Sequence, residues 1–192
     1  LEMWFPGTEG GNAAAALLYG EDNPSGKLAM SFPYGSGQIP VSYDMTPTGR
    51  PKEDLVNEPR YKSQYLDIPN EPLYPFGYGL SYTEYDVHMN GRIVRQEQEY
   101  LVPVKVTNLG KLAGKTVVQI YISKKKSLIA RPVKKLAAYK KIELQPGESK
   151  EIRIPIEEKA LECWIPGKGW TKEKGNIQYW LVMTVGTFEA WN

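Results

Sequence analysis

From about Tyr82 onward the chain alternates apolar and polar residues with a period of two, and this alternation restricts its fold more than any other feature. Val102, Val104 and Val106 alternate with Pro103 and Lys105. Val118, Ile120 and Ile122 alternate with Gln119 and Tyr121, and Ile152, Ile154 and Ile156 with Arg153 and Pro155. Successive side chains of an extended chain point to opposite faces, so each stretch offers one apolar face for burial. Leu136 to Leu144 is a weaker strand of the same kind, and Tyr179 to Val185 is the last strong one. Turn signals separate these stretches. Asn108-Leu109-Gly110 turns the chain, and Gln145-Pro146-Gly147-Glu148 carries the Pro-Gly pair that suits the centre of a type II turn. Half-buried strands divided by turns predict an all-β sandwich, immunoglobulin-like or fibronectin type III-like, over residues 81–192. Pro103 and Pro155 fall on outward positions, which favours edge strands or bulges there.

The part before this sandwich has a different grammar. Gly10 to Tyr19 (GGNAAAALLY) is rich in helix formers, with Thr8 ahead of it as N-cap and Gly20 where a C-cap glycine belongs. After the turn cluster Asn23-Pro24-Ser25-Gly26, Lys27 to Phe32 predicts a short strand closed by Pro33, with Leu28, Met30 and Phe32 on one apolar face. One helix and one strand cannot bury their own apolar faces. Residues 1–33 therefore read as the last αβ unit of an α/β domain, and the opening residues Leu1 to Phe5 read as a start inside an element. Residues 34–80 form a long connector with seven prolines and no sustained period. Such length is uncommon unless the loop has a task. Its interleaved Tyr43, Tyr61, Tyr65, Tyr74, Phe76 and Tyr78 suggest a segment laid against other surfaces. The fold class is thus mixed: a terminal αβ unit, a long connector, then a β-sandwich.

Charge divides along the same line. Residues 1–80 carry 5 Lys/Arg and 10 Asp/Glu, while residues 81–192 carry 19 and 12. The basic run Lys124-Lys125-Lys126, with Arg131, Lys134, Lys135, Lys140 and Lys141, is the best nucleic-acid feature. No RNA-binding aromatic pattern accompanies it, so a solvated sandwich face is the favoured reading and no nucleic-acid partner is expected. No apolar run approaches the roughly 20 residues of a membrane span, so no membrane partner is expected either. The lone Cys163 excludes an internal disulfide but does not fix a compartment.

No catalytic, substrate-binding, cofactor-binding or metal-binding residue stands out in the sequence. His88 is the sole histidine and sits in a strand context; with one His and one Cys, a metal site lacks ligands. Ser81 in Gly79-Leu80-Ser81-Tyr82-Thr83 lacks the second glycine of a nucleophile elbow. Gly7-Thr8-Glu9-Gly10-Gly11 opens a helix where amides can hold an anion, yet it lacks dinucleotide spacing and a P-loop lysine, which favours close packing. Glu9, Asp44, Glu58, Asp67 and Glu71 are scattered, and no spacing singles out a pair for glycoside hydrolysis. Trp164, Trp170 and Trp180 could form a sugar-stacking platform, although such residues more often fill a core or the gap between domains.

Taken together, several stretches resemble the C-terminal part of glycoside hydrolase family three enzymes of the bacterial periplasmic β-glucosidase type. They are Trp4 to Ala13; Asn23 to Leu28 with Ser31-Phe32-Pro33; Gly37 to Val41 and Thr48 to Pro51; Leu73 to Thr83; Val106-Thr107-Asn108 with Gly110; Arg131 to Lys134; and Pro146 to Ser149. The resemblance implies that residues 1–33 end an α/β sandwich domain. It also implies upstream partners: a barrel supplying an aspartate nucleophile, and an earlier α/β portion supplying an acid/base glutamate. The implied reaction is retaining hydrolysis of β-linked glucosides or related oligosaccharides from non-reducing ends, without a cofactor. Neither carboxylate would fall within this chain. Its role would be structural, buttressing the upstream domains and shaping a cleft rim or a homodimer contact. A stand-alone carbohydrate-binding or interaction module is the alternative.

Overall fold

The alternating valines form the strand they predict. In a computed structural model describing residues 1–52, 59–124, 126–175, 177–182 and 188–191, strand β3 (Glu99–Asn108) buries Val102, Val104 and Val106 completely, or nearly so. It pairs antiparallel with β6 (Ser149–Glu157) on one side, and with both β1 (Tyr85–Met89) and β2 (Val94–Gln96) on the other. The second sheet runs in the order β10 (Phe188–Trp191), β9 (Gln178–Val182), β4 (Gly114–Ser123), β5 (Lys135–Leu144). A small ribbon, β7 (Cys163–Ile165) with β8 (Gly169–Thr171), stands apart from both.

The core lies between the two four-stranded sheets. Val102, Val104, Val106, Ile154 and Ile156 face Val118, Ile120, Ile122, Ile142 and Leu144, with Tyr85, Val87 and Leu161 completing the cluster. Each such side chain contributes about 1.5–3 kcal/mol by leaving water. The sandwich expected from the period-two pattern is present. Pro155 sits on β6, which among the described strands pairs only with β3 and is an edge. Pro103 does not: β3 is central, and its proline falls in the break between the partners β1 and β2.

The expected helix appears as α1 (Gly10–Leu18). Its N-cap is Glu9 rather than Thr8, and no side chain caps the first turn. The C-terminal end closes as expected: Gly20, at φ 77°, donates to the Leu17 carbonyl and Glu21 to that of Ala16. These two bonds are a Schellman closure, which asks for a residue without a Cβ in the left-handed region. The strand expected over Lys27 to Phe32 does not form. Only Phe32 makes a bridge, to Tyr74, while Leu28 exchanges single bonds with Gly77 and Tyr78. Leu28 and Phe32 thus direct their backbone bonds to the connector, and Met30 is exposed.

Candidate functional site

Residues before the sandwich bury no large apolar side chain: every described buried hydrophobic lies at or beyond Tyr85. Leu1, Trp4, Phe5, Leu18, Tyr19, Ile39 and Leu66 are all exposed. Hydrogen bonds and stacked rings therefore hold this part to the sandwich, and they converge on two asparagines. The amide of Asn23 donates to the Ala113 carbonyl (3.0 Å), and its oxygen accepts from the Ser81 hydroxyl (2.8 Å) and the Tyr82 amide (2.9 Å). Tyr82 reaches back with its hydroxyl to the Leu17 carbonyl in α1 (2.8 Å). Asn108, fully buried, accepts from Thr83 (2.7 Å) and from the Gly110 amide, and donates to the carbonyls of Leu112 and Leu144. Its polar capacity is filled on both sides, so the Asn108-Leu109-Gly110 turn is an anchor as well as a reversal. Nearby, Lys27 donates to the Gly79 carbonyl (2.6 Å), and burial lowers its ammonium pKa from the ordinary value. Gly79 must be glycine, because a Cβ there would overlap the Gly26 carbonyl.

The connector is laid on the sandwich by its aromatic residues. Tyr43 stacks on Phe76 (centroids 4.1 Å, planes 14° apart) and meets Tyr121 of β4 edge-on at 6.1 Å. Gly77 accepts from Gln119, whose oxygen takes the Tyr121 hydroxyl (2.7 Å). Burial pushes the Tyr121 phenol well above its ordinary pKa. Trp4, Phe32, Tyr74 and Tyr78 form a second run of ring contacts. Gln38, almost wholly buried, clamps the far loop by donating toward the carbonyls of Pro69, Asn70 and Glu71.

A second polar constellation lies inside the sandwich. Glu173 accepts from the Leu128 amide (2.7 Å), the Ser127 hydroxyl (2.5 Å) and the Arg131 guanidinium (3.4 Å). Those two hydrogen bonds, with Arg131 and Lys124 adding to them, hold its carboxyl below the ordinary glutamate pKa against the opposing effect of burial. Arg131 also donates to the Leu161 carbonyl. Part of the basic run therefore turns inward. Lys124 is buried and donates to the Lys174 carbonyl (2.8 Å), and Lys134 lies 5.9 Å over the Tyr121 ring. Lys126, Lys135, Lys140 and Lys141 are exposed, and Lys125 lies outside the described residues. The solvated lysine face expected at 124–126 is corrected at Lys124, because a backbone carbonyl and the Glu173 charge compensate its burial.

The residues weighed for chemistry are dispersed. Glu9 accepts from the Asn12 amide (2.7 Å) at the helix start, and Asp44 accepts from Ser42 (2.5 Å). Asp67 and Glu71 are exposed, and Glu58 lies outside the described residues. Ser81 serves the Asn23 clamp. His88 and Asp86 form a half-exposed pair (3.0 Å) on β1. The glycine-rich helix start serves close packing, since a Cβ on Gly10 would overlap the Pro6 ring. Among the described residues, no three His, Cys, Asp or Glu side chains gather as a metal site, and no helix is long and apolar enough to cross a membrane. Trp164 and Trp170 do not enter the core but face outward from the ribbon; the Trp180 side chain lies outside the described residues.

Two family profiles cover most of the chain: the glycosyl hydrolase family 3 C-terminal domain over residues 1–82, and the fibronectin type III-like domain over residues 116–183. This chain belongs to glycosyl hydrolase family 3. Among the curated members of the family, the periplasmic beta-glucosidase of Salmonella typhimurium is 45% identical over 94% of this chain. Thermostable beta-glucosidase B of Acetivibrio thermocellus is 37% identical over 92% of it. A crystal structure of the beta-glucosidase from Listeria innocua superposes with a TM-score of 0.91 at 40% identity, covering 99% of this chain and 26% of that one. The chain spans about a quarter of the length of these family members. The family stretches are legible in the sequence, but not their tasks. Asn23, Asn108 and Gly79 lie within those stretches and form the clamp. Gln38 also lies within one of them, whereas Glu173 carried no legible signal, because its partners are a distant amide, hydroxyl and guanidinium.

Proposed function

We propose that this chain is the C-terminal structural part of a retaining β-glucosidase-type glycosidase. The enzyme would hydrolyse β-linked glucosides or related oligosaccharides from their non-reducing ends. Supporting this are the beta-glucosidases among its relatives and one observation above all: before Tyr85, no described large apolar side chain is buried. An apolar surface of that extent in the family 3 C-terminal domain needs a cover, and upstream domains bearing the two catalytic carboxylates are the cover proposed. The division follows the same reading: 1–33 closes an α/β sandwich domain, 34–80 is a connector fastened to β4, and 81–192 is the fibronectin type III-like domain. The chain itself supplies no catalytic residue in this scheme. A homodimer contact belongs to the same proposal, and sedimentation of the complete enzyme checks it.

The activity test is direct. Purified alone, the chain turns over no aryl β-glucoside, whereas the polypeptide extended upstream does. Turnover by the chain alone that survives repurification overturns the reading.

A further inference from the structure

The β7–β8 ribbon carries a feature that the buttressing role does not use. Its register sets Trp164 directly across from Trp170, while the flanking Cys163 and Ile165 point inward and are buried. Residues that alternate along a strand face opposite ways, so the ribbon is anchored by one face and displays both indoles on the other. Trp164 is 55% exposed and Trp170 62% exposed, with ring centroids 6.0 Å apart and planes at 77°. Gly169, at φ 76°, lets the backbone pass beneath the Trp164 ring; an added Cβ would touch that ring at 3.7 Å. The rings are thus held by a short ribbon with two positive-φ glycines, Gly167 and Gly169, rather than by core packing.

Just beyond Trp170 the chain enters a polar cluster. Lys172 donates to the Tyr100 hydroxyl (2.6 Å) and to the Glu158 carboxylate, and Arg95 donates to both oxygens of Glu158 (3.3 Å each). Arg95 remains 59% exposed. Two angled aromatic facets, followed along the chain by the partly exposed Lys172–Glu158 pair and the exposed Arg95, match a particular chemistry: a pyranose, with an apolar C–H face and a fringe of hydroxyls. A broad apolar partner would find two facets at a steep angle instead of a continuous patch. A nucleic acid would meet Glu158 beside the cations.

We propose that the Trp164–Trp170 face of the β7–β8 ribbon binds a sugar unit of a β-linked glucan, with one indole stacking on the ring and the Lys172–Glu158–Arg95 rim meeting its hydroxyls. The choice of a β-linked glucan rests on the activity proposed above. The stacking geometry itself does not.

The experiment is affinity electrophoresis of the complete enzyme through gels containing laminarin or hydroxyethylcellulose, with aryl β-glucoside turnover measured on the same samples. The wild type is retarded by at least one glucan. Trp164→Ala and Trp170→Ala each weaken the binding about tenfold, Trp164→Phe keeps most of it, and Tyr139→Ala on β5 leaves it unchanged. Trp164→Phe also keeps the test valid if an alanine variant misfolds, which circular dichroism detects. Retarded enzyme without aryl-glucosidase activity sinks the activity reading and leaves the binding site standing. Absence of retardation in the wild type, equal retardation of the alanine variants, or a dimer that dissociates only in those variants overturns the site.

Discussion

Glu173 shows how one residue can matter without touching substrate. Its carboxylate is 5% exposed and joins the segment before β5 to the segment after β8 through Ser127, Leu128 and Arg131. Its pKa is lowered in the folded state, so its contribution to stability is complete above the ordinary value of 4.5 and fades as pH falls through the lowered one. Melting of the complete enzyme followed from about pH 6 to pH 3 should show an acid limb that flattens in Glu173→Gln. That variant should also lose about 1–3 kcal/mol at neutral pH, where Arg131 loses its charged partner. An unchanged acid limb would mean that other carboxylates govern it. Lys27, lowered by burial, and Glu173 are shifted by different causes. Desolvation dominates for the lysine, hydrogen bonds to the charged form for the glutamate.

Among the elements, β4 departs most from its pattern. Its inner face carries Val118, Ile120 and Ile122, as alternation requires, yet the outward Gln119 and Tyr121 are 4% and 2% exposed. The connector covers them, with Tyr43, Phe76 and Gly77 lying over the strand near the irregularity between Ile120 and Tyr121. Tyr43→Ala should therefore cost about 2 kcal/mol in urea unfolding, from lost area and ring contact together. Amide exchange over residues 74–80 should accelerate in the same variant, and a double-mutant cycle with Tyr121→Ala should show coupling. Independent behaviour of the two variants would mean that the connector rests on the sandwich without stabilising it. On the opposite edge of the same reasoning stands β5, an edge strand whose exposed Lys135, Lys140 and Lys141 discourage pairing with another sheet.

At the scale of the molecule, the two halves are stabilised by different means. The sandwich has an apolar core closed by its own strands. The first 82 residues are held by polar clamps at Asn23, Asn108 and Gln38 and by a line of rings, with apolar side chains left facing outward. Purified alone, the chain should bind an apolar fluorescent dye strongly and associate with concentration, and the polypeptide extended upstream should do neither. Weak dye binding by the isolated chain would show that its apolar surface closes on itself.

The alternation of valines and isoleucines determined the sandwich, because a period of two has one way to hide its apolar face. The Gly20 helix end was equally legible, from backbone sterics. The family stretches were visible too, as letters without geometry. Tertiary structure decided the rest: that Lys27 to Phe32 pairs with the connector instead of forming a strand, and that Gln119 and Tyr121 are covered. It also turned Lys124 inward and Trp164 and Trp170 outward. Each of these depends on what a distant segment places nearby, and local periodicity carries no information about neighbours fifty residues away.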